Sequence, residues 1–208
     1  MAIHLVKLPS KKRDLLLRVA KGHFATSHSH INYFIDVTMQ KTRLSEAKAV
    51  AQELVRHYAS TTVVDTVLCL DGTEVIGACL ANELTRGGYM NMNAHQTIYV
   101  VTPEHTSGSQ LLFRENTAPM ITNKHVLILA ASVTTGFTAQ AAVEAVDYYG
   151  GIVAGITAIF ATVDECAGHP VTSIFYPATL GDYQSFYSRD CPWCNAGQKI
   201  EARVTSYG

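Results

Sequence analysis

A strand, a glycine turn and a helix follow one another in residues 125–146, and this order constrains the fold more than any other feature. The run HVLIL at 125–129 is almost wholly apolar, which is typical of a strand covered on both faces. A turn containing Gly136 follows, and apolar residues then recur at helical spacing through residues 138–149. Such a unit is the building block of α/β proteins, in which helices cover a parallel sheet.

The same alternation occurs elsewhere in the chain. The predicted strands are rich in β-branched residues, and polar or glycine-containing turns lead from them into helices. In chain order, the further predicted elements are a strand at 62–70, a turn and helix at 71–84, a strand at 97–101, a long loop or hairpin at 102–123, and a strand at 152–162. We therefore expect an α/β fold with a central parallel sheet flanked by helices.

The N-terminal residues follow a different pattern. Residues 10–22 predict a helix, in which Leu15, Leu16 and Val19 form an apolar stripe and Gly22 ends the helix. A loop should follow, leading to a strand near residues 33–37.

A strong helix is predicted at 44–59, with Ser45 as its N-cap, while residues 166–208 show no regular pattern. We expect a single domain. Its parts would be an N-terminal hood region at 1–60, a core sheet at 61–165 and an irregular C-terminal flap at 166–208.

Charge and hydropathy exclude several classes of partner. The 208 residues carry a formal net charge of −1, so no basic excess points to nucleic acid or to anionic lipid. The first residues lack the apolar core of a signal peptide, and no window approaches the length of a membrane span. Five cysteines, an odd number, favour reduced thiols. We expect a cytoplasmic protein with no membrane partner.

The turn around Gly136 has the composition of an anion cradle. A glycine permits positive φ, so successive backbone N–H groups can converge on one centre. Threonine hydroxyls add donors, and the positive end of the helix dipole favours phosphate. A plain strand-to-helix turn with a threonine N-cap is the alternative. The predicted phosphate-binding residues are Ser132, Val133, Thr134, Thr135, Gly136, Phe137 and Thr138.

This segment resembles the phosphoribosyl pyrophosphate loop of type I phosphoribosyltransferases. That loop has four apolar residues, two acidic residues, two variable ones and then Thr-Thr-Gly-X-Ser/Thr. In the family, the TTGxT part holds the 5′-phosphate and the acidic pair contacts the ribose hydroxyls. This chain keeps TTGFT at 134–138, but its acidic positions fall on Ala130 and Ala131.

Other segments resemble orotate phosphoribosyltransferase in particular. GHF at 22–24, followed by SHSH at 27–30 and YFID at 33–36, resembles that enzyme's hood near the pyrimidine site, and CPWC at 191–194 resembles a C-terminal ending of some members. The resemblance implies a homodimer, and Mg²⁺ bound with phosphoribosyl pyrophosphate if the protein is active. It also implies a pyrophosphate-contacting turn at Asp71, Gly72, Thr73 and Glu74.

A second departure concerns cations. The orotate enzymes carry lysines and an arginine after the strand equivalent to 97–101, whereas residues 88–122 here contain no lysine and Arg114 as their single arginine. Arg86, Arg114 and Lys124 are candidate substitutes, and the catalytic residues stay unassigned. We expect a protein that binds a 5′-phosphorylated ribose or nucleotide with weak or absent transfer. The alternatives are an active phosphoribosyltransferase for orotate or another base, and a regulatory or scaffolding protein.

Histidines and cysteines suggest a metal site. His28 and His30 alternate, so in an extended segment they point the same way and could contact a ligand or metal, although surface histidines are the plainer interpretation. The pairs Cys166/His169 and Cys191/Cys194 have the spacing of a tetrahedral zinc site. Reduced thiols in an irregular tail are the alternative. A thioredoxin-like role for Cys191 and Cys194 is disfavoured by their position near the C-terminus.

Overall fold

The computed structural model describes residues 4–9, 15–26, 29–88, 91–106 and 110–204. The chain divides into two compact units. Met1–Thr38 and Phe175–Gly208 form one, called the terminal unit below, and Met39–Ile174 form the other, called the core unit.

The strands are β1 (Val6–Pro9), β2 (Leu16–Ala25), β3 (His30–Asp36), β4 (Thr66–Cys69), β5 (Tyr99–Val101), β6 (Glu104–His105), β7 (Leu111–Leu112), β8 (His125–Val133), β9 (Ile152–Ala161), β10 (Glu165–Cys166), β11 (His169–Phe175), β12 (Ser185–Phe186) and β13 (Ala202–Arg203). The α-helices are α1 (Thr38–Thr42), α2 (Leu44–Leu54), α3 (Glu74–Thr85), α4 (Phe137–Tyr148) and α5 (Pro192–Asn195). Short 3₁₀ turns occur at Val55–His57, Ala118–Met120, Pro177–Thr179 and Ser188–Asp190.

The core unit is built on a six-stranded sheet with the order β10-β11-β9-β8-β4-β5. Its pairs β4–β5, β4–β8 and β8–β9 are parallel, which confirms the predicted central parallel sheet flanked by helices. All four residues of β4 are buried, as are residues 126–131 of β8. The uninterrupted apolar runs seen in the sequence are therefore strands covered on both faces.

Most core elements lie where the sequence predicted them. Helices α3 and α4 follow their strands, and the segment 102–123 contains the small antiparallel hairpin of β6 and β7. Helix α2 was predicted correctly, but its N-cap was not. Arg43 occupies the N-cap without a side-chain cap hydrogen bond, and Ser45 lies inside the helix.

The helix predicted over residues 10–22 was wrong where the structure describes it, because Leu16–Ala25 form strand β2. The burial there has a period of two: Leu15, Leu17 and Val19 are at most 3% exposed, while Leu16 and Arg18 between them are partly exposed. Strand β2 pairs with β1 and β3, which lie on either side of it in an antiparallel sheet. The same leucines fit a helical stripe locally, so pairing with distant residues decided the outcome.

The C-terminal residues are more regular than the sequence indicated. Strands β10 and β11 extend the core sheet, so that sheet continues past residue 165. In the terminal unit, β12 pairs with β3 and β13 pairs with β2. Among the described residues, no helix has the length and apolar character needed to cross a membrane.

Helix α3 approaches the sheet closely at Gly77. A Cβ at this position would lie 2.3 Å from Cys69 Sγ and 3.2 Å from Val100 Cγ1. Because Cys69 is 1% exposed, its thiol has little room to move, and burial raises its pKa to about 12. We expect Gly77→Ala to lower the free energy of unfolding by about 1–3 kcal/mol through overpacking.

Urea denaturation checks this expectation, with Gly88→Ala as the matched control. A Cβ at Gly88 would meet no heavy atom within 4 Å, so this variant should unfold at the wild-type urea concentration. Equal stability of the two variants would contradict the close helix–sheet approach.

Candidate functional site

The TTGFT segment forms the connection between β8 and α4. Strand β8 continues through Val133, and α4 begins at Phe137 after a left-handed Gly136 with φ 81° and ψ −7°. The first hydrogen bond of the helix runs from the Gln140 N–H to the Gly136 carbonyl oxygen, 2.8 Å away. The N–H groups of the first helical turn therefore have no carbonyl partner within the helix, as in known anion sites.

The base of this loop is held by the end of the neighbouring strand. Thr162 donates its backbone N–H to the Val133 carbonyl (2.9 Å) and its hydroxyl to the Thr134 carbonyl (2.8 Å). On the other side, the Cys166 thiol lies 3.5 Å from the Gly136 carbonyl oxygen. Burial raises the pKa of Cys166, so the thiol stays protonated and can donate to that oxygen. The loop backbone is thus fixed by contacts from outside the loop.

The side chains of the loop divide into two groups. Val133 is 2% exposed and belongs to the core, and Ser132 is half-buried. Thr135 and Thr138 are exposed, and Thr134 is half-buried. Within the described part of the chain, the hydroxyls of these threonines form no hydrogen bond. They remain available as donors beside the helix N-terminus.

The positions that correspond to the acidic pair lie inside the sheet. Ala130 and Ala131 are 1% and 0% exposed, and Ala130 pairs with Ala158 of β9. The chain therefore presents buried methyl groups where the family motif has carboxylates.

The predicted pyrophosphate turn follows β4, at the same edge of the sheet as the TTGFT loop. Asp71 and Gly72 both have positive φ, 55° and 75°, which is a tight turn that a non-glycine residue rarely adopts. Thr73 is fully buried and donates its hydroxyl to the carbonyls of Leu70 (2.8 Å) and Leu129 (3.1 Å). The turn is thereby tied to the end of β8, whereas Glu74 is exposed at the start of α3.

A lysine that the sequence analysis missed supports this turn. Lys41 of α1 is 7% exposed, and its ammonium group donates to the Asp71 carbonyl oxygen at 2.7 Å. The same nitrogen lies 3.7 Å from the position that a Cβ on Gly72 would occupy. A cation is therefore fixed against the turn that was predicted to contact pyrophosphate. Thirty residues separate it from the turn in sequence, and no local pattern marks it.

The three cations proposed as substitutes lie elsewhere. Arg86 follows the last residue of α3, whereas the turn at Asp71 precedes the first. At a helical rise of 1.5 Å per residue the two ends are about 18 Å apart. The Arg86 guanidinium pairs with Glu83. Lys124 precedes β8, about 30 Å from the TTGFT loop along the strand.

Arg114 forms an ion pair with Glu104. The residue before it, Phe113, exchanges hydrogen bonds with the hydroxyl of Tyr149 at the far end of α4. None of the three therefore serves the candidate phosphate site.

Two of the four predicted zinc ligands lie in a cluster of possible metal ligands. Cys191 and Cys194 do lie in a cluster that could hold a metal ion, but their partners are His23 and His30 of the terminal unit. Cys166 and His169 belong to the core unit, where they face each other across the β10–β11 hairpin. His30, expected more plausibly at the surface, is buried, and His28 lies outside the described residues.

The arrangement of strands and loops is similar to that of solved phosphoribosyltransferases. The orotate phosphoribosyltransferase of Mycobacterium tuberculosis in complex with Fe(III) dicitrate gives a TM-score of 0.55 at 20% identity, over 80% of this chain and 93% of that chain. The same enzyme in complex with 5-phospho-α-D-ribosyl 1-diphosphate gives 0.52 at 19% identity, over 71% and 82%. The adenine phosphoribosyltransferase of Leishmania tarentolae gives 0.53 at 15% identity, over 76% and 83%.

The chain has the type I phosphoribosyltransferase fold. No protein-family model and no curated protein matches the sequence, so the fold is established by the structure. In parallel sheets of this kind, ligands bind at the carboxyl ends of the strands. The TTGFT loop and the turn at Asp71 both lie at that edge of the type I phosphoribosyltransferase sheet.

Restoring an acidic residue should damage the fold. In Ala131→Asp, a carboxylate would enter a fully buried position of β8. We expect a loss of about 2–5 kcal/mol in the free energy of unfolding, because the charge is desolvated or the group must take up a proton. Chemical denaturation measures the loss, and Ala78→Asp, on the exposed side of α3, is the control with the same chemistry. Wild-type stability of Ala131→Asp would mean that this position opens to solvent.

Proposed function

We propose that the protein binds a 5′-phosphorylated ribose or nucleotide at the TTGFT loop and transfers its ribosyl group weakly or not at all. The observation that carries the proposal is the loop itself. The hydroxyls of Thr134, Thr135 and Thr138 form no hydrogen bond with the described residues, and they stand beside a left-handed Gly136 and the N-terminus of α4. The fold adds support, because a solved relative of this fold holds 5-phospho-α-D-ribosyl 1-diphosphate.

Phosphate recognition at this loop needs no cationic side chain. The N–H groups of the first turn of α4 point along the helix axis, and the helix dipole adds positive potential at the same end. Hydrogen bonds to a charged acceptor contribute about 1.5–3 kcal/mol each, so a few of them suffice for binding. Gly136 is required because φ of 81° would strain any other residue, and a Cβ there would lie 3.1 Å from Cys166 Sγ.

Weak transfer follows from what the reaction needs. Breaking the glycosidic bond to pyrophosphate places positive charge on the ribose and negative charge on the leaving group. Ala130 and Ala131 supply no carboxylate for the ribose side. Each missing preorganised group lowers the rate by about 10²–10³-fold. We infer that turnover falls far below the usual enzyme range.

If the protein is active, Mg²⁺ would enter bound to the diphosphate ligand. Magnesium is usually held by one or two carboxylates together with substrate phosphates. The positions that could offer such carboxylates at the end of β8 are alanines here, so β8 contributes no ligand to Mg²⁺. We assign no protein ligand to the ion.

An active phosphoribosyltransferase is the second candidate, and Lys41 favours it. Its ammonium group lies at the turn after β4, where a departing pyrophosphate would be stabilised by a fixed cation. This function requires transfer of ribose 5-phosphate from phosphoribosyl pyrophosphate to orotate or another base, with release of pyrophosphate. A scaffolding protein, the third candidate, would bind no nucleotide.

Thr135→Ala should weaken binding of orotidine monophosphate by about tenfold or more, because one hydrogen bond to phosphate is lost. Since Thr135 is exposed and its hydroxyl makes no hydrogen bond within the part of the chain that the structure describes, stability should be unchanged. Thr122→Ala is the control, because this exposed threonine precedes β8 at the opposite edge of the sheet. Titration calorimetry gives both affinities, and the double variant Thr135→Ala with Gly136→Val should show no binding.

The phosphate itself is tested with orotidine, which lacks it and should bind far more weakly than the monophosphate. Unchanged affinity in both loop variants, or equal affinity for the two ligands, would exclude the phosphate site. A parallel assay of pyrophosphate release with Mg²⁺ separates the first two candidates. Turnover of about 1–10³ per second would show that the protein is an ordinary transferase.

A further inference from the structure

Two imidazole nitrogens and two thiol sulfurs lie close together in the terminal unit, independently of the phosphate site. They belong to His23, His30, Cys191 and Cys194, and all lie within 4.8 Å of one another. His23 and Cys191 are 0% exposed and His30 is 7% exposed, while Cys194 is the most accessible of the four. Imidazole nitrogens and thiolates in a tetrahedral Cys₂His₂ set are the ligands of structural zinc. We propose that these four residues bind one structural zinc ion.

The distances between the ligand atoms match a zinc tetrahedron. With Zn–N near 2.0 Å and Zn–S near 2.3 Å, the edges of the tetrahedron are about 3.3 Å for N–N and about 3.5 Å for N–S. His23 Nε2 and His30 Nδ1 lie 3.2 Å apart. The Cys191 Sγ–His23 Nε2, Cys194 Sγ–His23 Nε2 and Cys194 Sγ–His30 Nδ1 distances are 3.5, 3.8 and 3.3 Å. These four of the six edges lie within about 0.3 Å of the zinc geometry.

The N-terminal hairpin presents the two histidines. His30 opens β3 opposite Ala25 of β2, and the register shifts between Lys21 and Phe24, so that two residues of β2 oppose one of β3. His23 lies in this bulge. A bulge re-aims side chains, and it places His23 on the face that His30 occupies.

The C-terminal CPWC turn presents the two thiols. Cys191 caps α5, with its carbonyl accepting from the Asn195 N–H at 3.1 Å, and Pro192 begins the helix. Gly197, with φ 75°, ends the turn and donates to the Cys194 carbonyl at 2.9 Å. Two cysteines separated by two residues on such a turn can both face one ion.

A hydrogen bond sets the protonation of His23 as a metal ligand needs it. Its Nδ1 lies 3.1 Å from the Gln198 carbonyl oxygen, which can only accept, so Nδ1 carries the proton. The lone pair is then on Nε2, the atom that faces the cluster. Metal-bound histidines commonly donate their other N–H to a carbonyl in this way. Trp193 packs on His23 with ring centroids 5.4 Å apart and shields the cluster.

A metal would add to the apolar packing of the terminal unit. One buried cluster there consists of Ala20, Phe24, Ile31 and Val204, and Leu15, Leu17 and Val19 of the same unit are buried as well. A zinc ion would join residues 23 and 30 to residues 191 and 194, and so connect the two ends of the chain.

Metal analysis of the full chain, purified without a histidine tag, tests the proposal. We expect about one zinc per chain and little iron, nickel or copper. Cys194→Ala should reduce zinc at least fivefold, to below ~0.2 per chain. Cys79→Ala, which removes a thiol of α3 in the core unit, should keep the wild-type content.

A second readout does not depend on the variants folding. Co²⁺ added to chelator-treated wild-type protein should give the visible absorption bands of a tetrahedral Co²⁺ ion and a thiolate charge-transfer band. Zinc should displace the cobalt and abolish these bands. Less than ~0.2 zinc per wild-type chain, an iron-containing protein, or a Cys191–Cys194 disulfide found by mass spectrometry would overturn the proposal. Full zinc content in Cys194→Ala would overturn this ligand set.

Discussion

The parallel pairing of β4 with β8 is the interaction on which the candidate phosphate site depends. It brings the carboxyl ends of the two strands together, with Cys69 opposite Leu129, so that both following loops open at one edge. Thr73 joins the ends of the two strands at this edge, because its hydroxyl hydrogen is shared between the carbonyl oxygens of Leu70 and Leu129. A displacement of either strand would separate the turn at Asp71 from the TTGFT loop.

The same strand holds the start of the loop and buries the positions of the acidic pair. Strand β8 remains paired with β9 as far as Val133, which holds the start of the loop at a fixed position. That pairing also buries Ala130 and Ala131, where a carboxylate would be desolvated.

Patterns within one segment predicted the core, whereas contacts between distant segments escaped prediction. The buried strands β4 and β8 are recognisable because each is an unbroken apolar run, and Gly136 marks its own turn. Strand β2 was mistaken for a helix because its leucines fit both periods, and the choice depends on β1 and β3.

The sites show the same division. The TTGFT loop is contiguous and was predictable, but Lys41 reaches the Asp71 turn from thirty residues away. The CPWC turn was singled out in the sequence as half of a possible ligand set, and the structure places its cysteines in a cluster that could hold a metal ion. Its other half is more than 150 residues distant in sequence, where sequence spacing carries no information about proximity.

The two candidate sites would recognise their ligands through different kinds of atoms. Phosphate recognition relies on hydrogen-bond donors, the N–H and O–H groups, which must stay open to solvent so that a charged ligand can enter. The proposed zinc ligands are imidazole nitrogens and thiolates, and His23 and Cys191 are fully buried. Loss of a bound zinc ion would act on the stability of the terminal unit, while loss of a threonine hydroxyl would act on ligand affinity in the core unit. Under the two proposals, metal binding and phosphate binding therefore belong to different units of the chain.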